Sequence, residues 1–178
     1  MNELQLFLHA LKQPEYLHVL LNPLPMYGLA MGLLALLLAL LLRSRPARVV
    51  ALVLVALSCA SVWPVVRYGH GGYDRVSAMS NNEAKQWLDV HQHRADRAKY
   101  IFYLAGLLAL AALAADWKFP RAALPLAVAT LVLAVVSSGL GGWIAHAGGK
   151  VRHSEFRDGP PPNPIEPSQR EEHHKHSH

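Results

Sequence analysis

The feature that most constrains this chain is the length of its apolar runs. Four stretches lack charge almost completely: 26–42, 49–66, 100–115 and 122–145. Each is close to the roughly 20 residues a helix needs to cross a hydrocarbon core of about 30 Å. A soluble domain spreads its apolar residues in short periodic stripes instead. The runs therefore predict an all-α integral membrane protein, a four-helix bundle in contact with the lipid bilayer. Hydrophobic residues make up 52% of the 178. Mean hydropathy is nevertheless only +0.18, because polar segments separate the blocks.

Those segments set the expected organisation. Residues 1–23 predict an amphipathic N-terminal segment on the membrane surface, broken at Pro14 and ended by Asn22-Pro23-Leu24-Pro25. No basic region followed by a short apolar core and a small-residue cleavage site appears there, so the first apolar run is expected to be a permanent span. Residues 24–157 form the transmembrane domain. Within it, RYGHGGYDRVSAMSNN at 67–82 predicts a loop. Asn82-Glu83 predicts the start of a long helix whose polar half stands above the membrane before the third span. Gly148-Gly149 predicts a helix end. The proline-rich, charged stretch 158–178 predicts a disordered, His-rich tail.

Charge distribution predicts orientation. The two tight turns hold Arg43, Arg45, Arg48, Lys118 and Arg121. The positive-inside rule puts them in the cytoplasm, with both termini outside. Trp63, Trp117 and Trp143 fall near span ends, as interfacial aromatics do. A net charge of +5 that flanks membrane spans does not point to nucleic acid. The single Cys59 excludes an intrachain disulfide.

With that topology all 11 histidines fall on one side. His91 precedes the third span and His146 ends the fourth, so helix register is expected to bring them to one mouth of the bundle. Two facing imidazoles suit a b-type haem, or a transition-metal ion completed by His18, His93, His153 or a carboxylate such as Asp89 or Asp96, with His18 or His153 as alternative ligand or supporting group. Ser137, Gly139 and Gly142 would line the pocket, or serve close helix packing. His173, His174, His176 and His178 suit weak metal binding. The competing view is that the outer histidines are structural. No catalytic residues are assigned. No Walker loop, hydrolase triad order, HExxH or paired cysteines occur, and no ionisable residue lies deep in a span. A hydrolase, a nucleotide enzyme and an ion carrier are thus disfavoured, and the chain does not read as a stand-alone enzyme.

Three segments resemble a known family. AHAGGKVRHSEFR, with His146 and His153, resembles Gly-His-Leu-Gly-Gly followed by His-Pro-Glu. His91 to Ala95 resembles a His-x-x-x-Ala motif before the third span. LHVLLNPLP resembles a histidine-proline-leucine-leucine opening at His18 and Pro25, with its second histidine missing. The family consists of small bacterial four-helix membrane proteins, filed as a domain of unknown function and grouped loosely with two-haem membrane b-type cytochromes. The resemblance implies a multi-pass protein of the bacterial inner membrane, with periplasmic termini. It favours haem over a bare metal and electron transfer with other membrane redox subunits. Lacking histidines on the cytoplasmic side, this chain is expected to hold at most one haem. The alternatives are a non-redox membrane scaffold or accessory subunit, and a periplasmic metal-handling protein.

Overall fold

The structure, a computed structural model, describes residues 2–159, and these are all-α. The tail histidines and most of the segment expected to be disordered lie outside the described residues. Four long helical stretches pack together, each long and apolar enough to cross a membrane: Pro14–Leu41, Arg45–Ala78, Asn82–Lys118 and Pro120–Arg152. They contain 28, 34, 37 and 33 residues. At about 1.5 Å per residue, all four exceed a hydrocarbon core of about 30 Å. The surplus is where the polar residues lie.

Three sequence expectations need correction, each for an identifiable reason. First, Pro23 and Pro25 do not end the N-terminal segment. Helix α1 (Glu3–Ala10) opens on an Asn2–Gln5 capping box, and α2 (Pro14–Leu21) starts at Pro14. The chain then continues through a π-helical turn, Leu24–Gly28, into α3 (Leu29–Leu41). A π turn bonds with a wider spacing, and such turns absorb a local break in the α ladder. Second, 67–82 is mostly helix. After α4 (Arg45–Ala60) and a turn at Ser61, α5 runs Val62–Ala78. Its glycines are taken up by helix packing, described below. Pro64 sits in its first turn, where the missing N–H costs least. Third, Gly148-Gly149 does not end the last helix. Helix α6 (Asn82–Lys118) matches the expected long helix, with Asn81 capping Ala84 N–H at 2.8 Å. Helix α7 spans Pro120–Arg152, straight through the glycine pair.

The chain divides into two compact units. One consists of Val19–Val65 and Ala98–Gly142. Its core is aliphatic, built on Leu29, Leu36, Leu52, Val55 and Cys59. Ala105, Ala109 and Ala112, on one face of α6 at i, i+4 and i+7, are fully buried and allow close packing. Gly32 lies so close to Val55 that a Cβ would stand 3.2 Å from its backbone nitrogen. Asp116, 5% exposed, is tied to Arg48 by two charge-assisted bonds, and its carbonyl accepts from Arg45 at 2.5 Å. These bonds fasten the start of α4 to the end of α6.

Candidate functional site

The other unit gathers the chain up to His18, Val66–Arg97 and the chain from Trp143 onward. It contains most of the polar half of α6, EAKQWLDVHQHRADR. That half uses two faces. Asp89 accepts from the Tyr73 hydroxyl, and Asp96 Oδ2 meets His70 Nε2 at 3.2 Å, so this face holds α5. The other face holds α7. Trp87, Val90 and Ala147 form a small apolar core with Val151 against it. Arg94 donates to the Trp143 carbonyl at 2.8 Å.

Glycines set how closely the helices approach. On α5, a Cβ at Gly69 would lie 2.9 Å from His18 Nδ1, and one at Gly72 would lie 2.9 Å from the backbone of Glu15. Helix α2 therefore lies in a trough that glycine makes possible. Arg75 secures it through Glu15 at 2.7 Å and Gln13 at 2.6 Å. On α7, a Cβ at Gly148 would lie 3.0 Å from His91 Nδ1. The glycine that was expected to stop the helix instead seats an imidazole.

Two imidazoles meet in this unit. His18 and His91 have ring centres 6.2 Å apart and planes at 88°. His91 Nδ1 lies 3.0 Å from the Ile144 carbonyl. A carbonyl only accepts, so Nδ1 carries the hydrogen and the neutral ring keeps its lone pair on Nε2. His91 stands outside the apolar stretch that begins at Tyr100. Burial pushes its pKa below the ordinary 6.5, the Ile144 hydrogen bond opposes this, and His18 and Arg94 push it further down.

The lowered value predicts acid sensitivity. Below about pH 6.5 the unfolded chain takes up a proton that the folded ring resists, so stability falls as pH drops through that value. In the cofactor-free protein, exchange protection across 82–99 and 143–152, corrected for the intrinsic pH dependence of amide exchange, should fall between pH 7.5 and 5, and His91→Gln should flatten the change. An equal acid response in that variant would assign the effect to other groups.

The remaining candidate residues are placed as follows. His146 is exposed, and the ring against His91 is that of His18. His153 pairs with Glu155 at 3.0 Å and stacks on Phe156 at 4.8 Å. Ser137 is fully buried in the aliphatic unit, with no partner for its hydroxyl among the described residues. Gly139 and Gly142 are exposed, and a Cβ there would meet nothing within 4 Å. Ser137 and the two glycines therefore do not share a face. Among the described residues, no three His, Cys, Asp or Glu side chains converge as a metal site. Sequence reasoning missed the trough on α5 and the Asp96–His70 pair. The signal for the trough is Gly69-His70-Gly71-Gly72, a glycine pattern that a loop accounts for equally well in sequence. No family model, no curated protein and no solved structure matches this chain.

Proposed function

We propose that this chain is a membrane-embedded haem-binding protein that serves electron transfer, with His18 and His91 as the iron ligands. One observation carries the proposal: the 6.2 Å between their ring centres. That separation is compatible with one metal ion bonded to both rings at about 2.0–2.1 Å. The donor set also suits haem better than a bare ion. A bare transition metal takes about four ligands from its site. A haem carries most of the iron's donors itself, so two imidazoles would complete the set. The resemblance of the segments around His18, His91 and His146 to the bacterial four-helix family supports the same view. On this reading the protein is a multi-pass component of a bacterial inner membrane with periplasmic termini, and it exchanges electrons with other membrane redox subunits.

The chain's own groups have definable tasks. The Ile144 carbonyl fixes the tautomer of His91 and leaves Nε2 to ligate. Gly148 and Gly69 admit the two rings against their helices. When bound, haem supplies one-electron redox chemistry.

The test is a reduced-minus-oxidised spectrum of the full-length protein, purified in mild detergent from haem-replete cells. We expect one α band, lost in His18→Ala and in His91→Ala and kept in His146→Ala. A colourless, helical wild-type protein sinks the haem proposal. If elemental analysis of that colourless protein then finds one transition-metal ion that the same two variants lose, a bare-metal site replaces it. With neither, the ring pair serves only to hold α2 against α6, as in a scaffold or accessory subunit.

A further inference from the structure

The α6–α7 seam contains two cations that rest on indole rings. Lys150 Nζ lies 4.6 Å from the centre of the Trp87 ring, and the Arg94 guanidinium lies 4.2 Å from that of Trp143. Both cationic residues are 8% exposed. The neighbouring carboxylates serve other partners: Glu15 holds Arg75, Glu83 holds Arg157, and Asp96 holds His70. Arg94 has no carboxylate among the described residues; it has one carbonyl and one ring face. A guanidinium offers five N–H donors, so most of its capacity is unused. Removing a charge from water is costly, and one carbonyl and one ring face leave most of a guanidinium's donors without a partner. Arg97, one helical turn further on, is exposed and also pairs with no carboxylate among the described residues.

Counting along the helices gives the depth of this pair. A crossing takes roughly 20 residues. Counted back from Lys118 along α6, that length reaches the neighbourhood of Arg97. Counted forward from Pro120 along α7, it ends within a turn of Trp143. The half-exposed Trp143 ring fits that boundary, where aromatic residues concentrate. The anion abundant at this depth is lipid phosphate, and arginine matches it with paired donors.

We infer that Arg94 and Arg97, one turn apart beside the Trp143 indole, bind the phosphodiester of a membrane phospholipid. Arg94 is held in place by the Trp143 carbonyl and ring, and directs its remaining N–H groups to the phosphate oxygens. Arg97 supplies the second charge. The site is independent of whether haem is bound.

The test is native mass spectrometry of the full-length protein in neutral detergent, with phosphatidylglycerol as the probe. Diacylglycerol of the same chains and inorganic phosphate form the comparison arms. We expect a retained phosphatidylglycerol adduct, at least tenfold less occupied in Arg94→Gln/Arg97→Gln and largely kept in Arg97→Lys. Equal occupancy in wild type and double variant overturns the inference, as does equal retention of diacylglycerol. Displacement of the lipid by millimolar phosphate assigns the site to a free anion and overturns the lipid source. Should the double variant lose its helical structure, Arg97→Gln alone decides. That side chain is exposed, so its loss leaves the fold intact, and unchanged occupancy then overturns the inference.

Discussion

Asp116→Ala is expected to destabilise the aliphatic unit by about 3–5 kcal/mol, the range for breaking a buried ion pair from one side. The Asp116 side chain is 6% exposed and that of Arg48 15%, so neither charge is well solvated. Removing the carboxylate leaves the Arg48 guanidinium without its acid partner at the junction of α4 and α6. Arg45 adds little, because its side chain is 65% exposed and water screens the pair. Most of the loss comes from the stranded cation rather than from the pair itself. Asp116→Ala/Arg48→Met should therefore recover a large part of it. Thermal unfolding in detergent of the wild type, both single variants and the double variant measures this. If Asp116→Ala matches wild type, or if the double variant is the least stable of the set, the lock is not what holds these helix ends.

The second large effect is a reversal of sign between two chemically identical substitutions. Glycine to alanine inside a helix gains roughly 0.8–1 kcal/mol from propensity alone. Gly142→Ala should realise that gain, since its Cβ would meet nothing within 4 Å. Gly72→Ala should lose it and more. Its Cβ would lie 2.9 Å from the Cα, Cβ and backbone nitrogen of Glu15, and a helix backbone cannot rotate aside as a flexible side chain can. The whole of α2 must move instead, and His18 with it. Lys12 is exposed in the turn before α2, which makes tryptic cleavage there a direct readout. We expect at least tenfold faster cleavage in Gly72→Ala and no increase in Gly142→Ala. A tenfold increase corresponds to about 1.4 kcal/mol of easier opening when cleavage is slow relative to closing. Equal rates in the two variants would mean that α2 is not held by the glycine trough.

The contrast between these glycines shows where sequence reasoning reached its limit. Ser137, Gly139, Gly141 and Gly142 form one cluster of small residues in the sequence. In the helix they diverge. Ser137 and Gly141 turn inward, where a Cβ on Gly141 would meet Met26 Sδ at 2.8 Å, and Gly139 and Gly142 turn outward. Composition cannot assign faces when a fully apolar helix lacks amphipathic contrast. A similar ambiguity affected Gly69, Gly71 and Gly72. In isolation glycine and polar residues predict a loop. Here they form a helix because α2 lies against them and makes up the lost propensity through packing. Gly148 was misread as a terminator for the same reason, because the ring of His91 occupies the space a side chain would take.

The two ends of the helical stretches differ in legibility. The tight turns at 42–44 and at Phe119 were visible as breaks between long apolar runs, flanked by basic residues and proline. The histidine constellation was visible only as a shared side. His91 and His146 were paired by counting turns along separate helices. Counting gives height along a helix and leaves rotation about its axis undetermined. Rotation is what exposes His146 and turns His91 toward Ile144 and His18.

By itself the sequence determined the all-α class, the four long apolar helices and the location of nearly all polar chemistry outside the apolar runs. Those properties follow from block length and composition, because a hydrocarbon core demands about 20 apolar residues whatever the neighbours are. Only the tertiary structure decided which helices approach closely, which glycines admit a neighbour, and which imidazole meets His91. These depend on contacts between residues far apart in the chain, such as Gly69 with His18 and His91 with Ile144. No local pattern encodes such contacts.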